Sequence, residues 1–287
     1  KLLIIDFHTH IFPEWLRDQR KAYVERDATF GELFSSSKAR MVTADELVQA
    51  MDEDGVDMSV VMGVGWTDHG LARESNDYII ESVNRFPNRL KGFAGISHAW
   101  GDVAVSEVDR CAQAGLRGIG ELHPDTQGFD LGDMGTMAPI IDVVRAHRLV
   151  LATHASEPVG HSYPGKGKTR PDVLWRLVRN FPDIAIVLAH WGGGLPFYAL
   201  MPEVREVLGN VYFDTAASPF LYDARVFEQV TSLVGADRVL FGSDFPLLPS
   251  RRILAQVRES SISDAEKAAI MGGNAERLLA PMLDMPG

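Results

Sequence analysis

Six residues have side chains suited to holding a divalent metal, and each comes at the end of an apolar run: His8, His10, Glu121, His154, His190 and Asp244. Imidazole nitrogens and carboxylate oxygens together make a mixed donor set that suits Zn, Mn, Fe or Ni. The His8-Thr9-His10 pair closes the run Leu2-Leu3-Ile4-Ile5-Asp6-Phe7, which reads as a buried strand. Residues two apart on a strand point to the same face, so the two imidazoles are expected to converge. A metal site that keeps one open position lowers the pKa of bound water to about 7, which makes hydroxide available at neutral pH. His8, His10, His154 and Asp244 are the expected ligands, and Glu121 is placed to bridge or to hold a second ion. Asp244 can also accept a proton while touching the metal. His190 is either a ligand or the general acid or base beside it.

These residues converge only if the elements behind them are arranged suitably. After the first strand, strand patterns recur at 58–64, 90–97, 116–122, 149–155, 184–190, 211–215 and 239–243. Helical patterns alternate with them, the first opening at Thr43 with Glu46 three residues on and closing at Gly55. Others are expected at 71–86, 103–114, 136–147, 171–180, 197–208 and 224–234, and near 251–259, 263–271 and 274–279. Eight strands each followed by a helix predict an α/β fold, a (β/α)8 TIM barrel, in which the C-terminal strand ends share one site. Near-continuous apolar strands fit a parallel sheet covered by helices. An open nucleotide-binding sheet would need a glycine-rich turn where His8-Thr9-His10 stands. We expect one domain over 1–287, with an insertion at about 11–42 after strand one that carries a short helix and folds over one face of the barrel.

The chain has 287 residues, 46% of them hydrophobic and 23% charged, which is ordinary for a globular protein with a large core. A net charge of −11 and the lack of a dense basic patch argue against nucleic-acid binding. No apolar stretch reaches the roughly 20 residues of a membrane span, and no signal-peptide pattern is visible, so a cytoplasmic location is expected. The one cysteine, Cys111, is expected to fill core space.

Several stretches together resemble the amidohydrolase superfamily, specifically its amidohydrolase-2 branch of aminocarboxymuconate-semialdehyde decarboxylase-like and resorcylate decarboxylase-like proteins. They are His8-Thr9-His10, Thr153-His154, His190-Trp191-Gly192-Gly193-Gly194, Phe241-Gly242-Ser243-Asp244-Phe245-Pro246 and Gly273-Asn274-Ala275-Glu276-Arg277. The resemblance covers nearly the whole chain. It implies a TIM barrel, metal ligation by His8, His10, His154 and Asp244, and a catalytic His190 next to the metal. Many two-metal members carry a lysine at the end of strand four. Here Glu121 stands in its place, which resembles TatD-like hydrolases and leaves one or two ions open. Zn is the expected metal, with Mn, Fe or Ni as alternatives, and a homodimer is compatible with the resemblance.

The loop after strand five, 157–170, is glycine-rich and locally basic. His161, Tyr163, Lys166 and Arg170 are therefore expected to meet an anionic small-molecule substrate, with Trp191 either flooring the pocket or packing. Two schemes fit. In the first, which Glu121 favours, activated water hydrolyses a C–N or C–O bond of a small, carboxylated substrate. The alternative is non-oxidative decarboxylation of an aromatic or muconate-like acid, with His190 delivering a proton. Intact ligand positions at all these strand ends argue against a non-catalytic binding protein.

Overall fold

The computed structural model describes residues 2–280. Its sheet has eight parallel strands in sequential order: β1 (Ile5–His10), β2 (Met58–Met62), β3 (Leu90–Ala94), β4 (Gly118–Leu122), β5 (Val150–Thr153), β6 (Ala185–Leu188), β7 (Val211–Asp214) and β8 (Val239–Leu240). The segment after β8 closes the ring against β1. Phe7 N–H donates to Phe241 O at 2.7 Å and His10 N–H to Phe245 O at 2.8 Å. The result is the (β/α)8 barrel that the alternating pattern predicts.

Packing follows from the period-two strand geometry. Ile5, Phe7, Val60, Phe93, Val150, Val187 and Leu240 fill the barrel interior. Outward apolar residues such as Val61, Ile119, Leu151, Ile186 and Phe213 pack under the helices. The helix Ala44–Asp54 shows how local sequence sets an element. Thr43 accepts from Glu46 N–H, Glu46 accepts from Thr43 N–H, and Gly55 ends the helix at φ +74°. The helices Pro171–Asn180 and Asn274–Leu279 match the sequence pattern at both ends.

Two expectations need correction. The helical pattern at 197–208 is broken into a 3-10 turn, Leu195–Tyr198, and a single turn, Pro202–Arg205. Pro202 cannot donate to an i−4 carbonyl, so an amphipathic spacing across it does not make a continuous helix. The residues after β1 hold three helices (Glu14–Asp18, Arg20–Arg26 and Ala28–Phe34) rather than one. This segment is tied down by the buried Asp27, which caps Phe30 N–H and accepts from Thr67 and Asp68 N–H groups at 2.7 and 2.8 Å. A separate apolar cluster of Phe12, Leu16, Phe30, Val64 and Trp66 holds it against the barrel. Cys111 is buried, and its thiol donates to Glu107 at 3.5 Å. Among the described residues no helix is long and apolar enough to cross a membrane.

Candidate metal centre and catalytic pocket

β1 delivers the first two imidazoles. Its register against β2 shifts between Asp6 and Thr9, where core packing gives way to polar side chains. The Nε2 atoms of His8 and His10 lie 3.1 Å apart. Asp214, at the end of β7, lies 2.8 Å from His8 Nδ1, and the Met62 carbonyl lies 3.2 Å from His10 Nδ1. Both partners are acceptors, so each Nδ1 carries a hydrogen and the two Nε2 atoms face each other. Two buried ring nitrogens at this distance share a cation, either a proton or a metal ion; burial opposes charge on His8, but Asp214 and Glu121 raise its pKa well above the usual imidazole range. Asp214 thus orients a ring rather than ligating, the arrangement found behind metal-bound histidines.

Glu121, ending β4, sits among the imidazoles. One carboxylate oxygen is 3.4 Å from His8 Nε2 and 3.6 Å from His10 Nε2. The other is 3.0 Å from His154 Nδ1 and 3.4 Å from His190 Nε2. Burial alone would raise its pKa, yet the surrounding His123 and His8, with hydrogen bonds from His154 and His190, hold it well below the usual range. Asp244 completes the cluster, 3.5 Å from His10 and 3.7 Å from His8. Burial opposes its charge as well, and His10, His8 and His190 outweigh that. Two triads, His8-His10-Glu121 and His8-His190-Asp244, have atoms close enough to share one ion, and Glu121-His123-His154 forms a third. His154 Nε2 is buried and has no hydrogen-bond partner, whereas its Nδ1 faces Glu121.

His190 lies beyond its strand. β6 ends at Leu188, and residues 190–194 all take positive φ, with His190 at +55° and Trp191 at +57°. Asp214 fixes the turn by accepting His190 N–H at 2.9 Å. A Cβ on Gly193 would sit 2.5 Å from Ser156 O, so the glycines permit a close approach to the loop after β5. His190 Nδ1 donates to Ala216 O at 3.1 Å, which aims Nε2 at the cluster. Burial disfavours its charge, but Glu121 and Asp244 raise its pKa to about 9.

These side chains floor a cavity of about 460 Å³. Its walls are apolar, with Leu33, Phe34, Phe220 and Leu247 contributing, and Lys38, Arg40, His161 and Tyr163 also line it. Of the residues expected to meet a substrate, His161 and Tyr163 line this cavity, and the Tyr163 hydroxyl donates to Glu157 at 2.9 Å. The other three lie elsewhere, Trp191 taking the packing alternative. Trp191 is fully buried behind the site, donates to Ser218 at 2.9 Å and packs edge-on against Phe227. Lys166 donates to the carbonyls of Val159 and His161 and so staples its own loop. Lys166 and Arg170 line a neighbouring cavity of about 470 Å³ that meets the first at Leu33, His123 and His154. The cations that do reach the main cavity, Lys38 and Arg40, come from the segment after β1. The sequence signal for them was only that this segment had to fold over a face of the barrel.

Asp214 serves two of the site's histidines, the His8 ring and the His190 backbone. His123 lines the cavity, whereas His98 does not. His98 is 4% exposed and stacks near Phe129 at 4.8 Å, and both of its ring nitrogens are without partners. Burial pushes its pKa down to about 3. The sign follows directly. The unfolded state binds a proton near pH 6.5 and the folded state only near pH 3, so stability is present above about 6.5 and is lost on acidification towards about 3. From pH 7 to pH 5 we expect His98 to account for about 2 kcal/mol of lost stability. His98→Phe should lose that much less over the same interval in denaturant titrations, and parallel losses in both proteins would sink the assignment.

The chain matches the family described as amidohydrolase over residues 5–280. It is 23% identical over 341 residues to 2-amino-3-carboxymuconate-6-semialdehyde decarboxylase from Dictyostelium discoideum, covering 96% of this chain and 91% of that protein. The structure of 5-carboxyvanillate decarboxylase from Sphingomonas paucimobilis superposes with a TM-score of 0.79 at 20% identity, covering 97% of this chain and 99% of that one. Dihydroxybenzoic acid decarboxylase from Polaromonas sp. JS666, solved with bound manganese and the inhibitor 2-nitroresorcinol, gives 0.73 at 21% identity over 97% of each chain. The two structures establish the shared fold.

Proposed function

This chain belongs to the amidohydrolase family, and on that premise we propose that it is a metal-dependent, non-oxidative decarboxylase of a small aromatic or muconate-like acid. The observation that carries the reading is an apolar cavity whose floor is a buried imidazole–carboxylate cluster and whose lining includes free cationic groups. Decarboxylase names among the relatives and manganese in a structural neighbour support it. They weigh more than the tilt towards hydrolysis that Glu121 provides.

His8, His10, His154 and Asp244 would hold a divalent ion, with Glu121 against them. Such an ion, Mn or Zn, supplies Lewis acidity that polarises substrate oxygens. The apolar walls enclose the ring and exclude water from it. Arg40, which makes no ion pair among the described residues and lies 5.9 Å from the Phe245 ring, is placed to bind an anionic substituent. His190, aimed into the cavity by the Nδ1 hydrogen bond to Ala216 O, is the proton donor: it gives its Nε2 proton to the ring carbon that bears the carboxylate. The new C–H bond forms from ring π electrons. The C–CO2 bond then breaks, its electron pair restores the ring, and CO2 leaves. Solvent reprotonates His190.

The test is CO2 release from a panel of hydroxybenzoates and unsaturated dicarboxylic acids, run beside ester, lactone and amide hydrolysis. CO2 release without hydrolysis supports the reading, and the reverse would move the assignment to hydrolysis, where Glu121 shares a two-ion site. With an active substrate in hand, Arg40→Ala should raise KM by about tenfold or more and leave kcat nearly unchanged, as expected for a group that binds ground and transition states equally. A fall in kcat with constant KM would remove Arg40 from substrate binding.

A further inference from the structure

The buried carboxylate of Asp6 has no part in the roles above, yet it joins the two segments that bring His8, His10 and Asp244 together. It lies fully inside the protein, two residues before His8. Its Oδ2 accepts from the hydroxyls of Ser243 and Ser250, each at 2.6 Å. Its Oδ1 accepts from Ser243 N–H at 2.9 Å and from His8 N–H at 3.3 Å. All of these donors are neutral. A charge-neutralising partner would suffice for burial alone, whereas this set of donors reaches into three chain segments.

Ser243 passes the connection on. Its hydroxyl oxygen accepts Phe245 N–H at 3.0 Å, so Asp6 controls the residue on each side of Asp244. Asp244 itself sits at φ +67°, a left-handed conformation that a non-glycine residue keeps only where its surroundings enforce it. β8 ends at Leu240, and beyond it a parallel bridge between Thr9 and Phe245 ties this segment to β1. The Asp6–Ser243 link adds to the backbone hydrogen bonds of that pairing, Asp244 N–H to His8 O at 2.9 Å and His10 N–H to Phe245 O at 2.8 Å. The outcome is the 3.5 Å approach of the Asp244 carboxylate to His10 Nε2.

Resting on the metal-dependent reading above, we propose that Asp6 is a positioning residue: acting through Ser243, it holds the Asp244 backbone so that its carboxylate meets the imidazoles of His8 and His10 at the metal. Ser250 provides a control within the same network. It touches the same Asp6 oxygen but begins the helix Ser250–Glu259 and makes no link to Asp244 or its neighbours. A role confined to stability makes the two serines equivalent. A positioning role makes them differ.

The experiment measures Mn2+ dissociation constants by titrating metal-free full-length protein, with thermal melts in parallel and the d–d absorption spectrum of the Co2+ form as a report on ligand geometry. Ser243→Ala should weaken Mn2+ binding by about 10- to 100-fold and change the Co2+ spectrum, the range seen when the groups orienting a ligand are lost. Ser250→Ala should keep the wild-type dissociation constant within about twofold and the wild-type spectrum, whatever its melting temperature. Asp6→Asn should resemble Ser243→Ala if it folds, and the serine pair decides the matter if it does not. Equal effects of the two serine variants on metal binding, or none from either, would overturn the positioning role while leaving the metal-dependent reading intact. Failure of the wild-type protein to take up Mn2+ would overturn both.

Discussion

Asp244→Asn is expected to lower kcat by about a thousandfold or more while the barrel stays folded. The side chain keeps its volume, and the backbone contacts at this position do not involve the carboxylate: Asp244 N–H still donates to His8 O, and Leu247 N–H still donates to Asp244 O. What disappears is the charge that His10, His8 and His190 hold in place, and with it a metal-facing oxygen anion and part of the field that keeps His190 protonated. Losing proton-transfer capacity alone costs about 100- to 10,000-fold, and metal affinity should fall as well. Steady-state kinetics at saturating Mn2+, with a thermal melt as the folding control, would check this. Activity within about threefold of wild type would remove Asp244 from the mechanism.

The second large effect is expected from removing the metal. Dialysis against a chelator should abolish turnover, and Mn2+ should restore it, because Glu121 and Asp244 place carboxylate oxygens 3.4–3.7 Å from the His8 and His10 Nε2 atoms, a donor set suited to a divalent ion. Binding at about a hundredfold excess over Kd adds about 2.7 kcal/mol to the folded state, so the melting temperature should follow metal content. Elemental analysis is expected to give about one ion per chain for the decarboxylase reading. About two ions, falling towards one in Glu121→Ala, would place Glu121 between metals and return the assignment to hydrolysis. Full turnover in verified metal-free protein would end the metal-dependent reading.

Much of the fold was legible because parallel barrels leave a simple trace. Most strands read as near-continuous apolar runs, most are followed by a helical pattern, and the capping box at Thr43 and Glu46 marks a helix start within four residues. The metal-facing residues were legible for a related reason. A charged or imidazole side chain at the end of an apolar strand stands out against its neighbours, and barrel topology sends all such ends to one place. The pattern failed where chain geometry overrode side-chain type. The spacing at 197–208 looks helical until Pro202 removes a backbone donor. The run at 184–190 looks like one strand, but Asp214 turns the chain left-handed at His190.

The sequence by itself therefore determined the barrel, the single row of strand ends and which side chains could bind a metal, because those features depend on local period and residue chemistry. The tertiary structure alone decided which cations line the cavity. Lys166 is spent on its own loop carbonyls, while Arg40, from a segment without regular spacing, reaches the cavity. It also decided the tuning: His98 and His190 are both buried histidines, yet burial lowers the pKa of the first while Glu121 and Asp244 raise that of the second. The difference lies in whether a carboxylate from a distant strand stands beside the ring, and that depends on how the chain closes in space rather than on neighbouring residues.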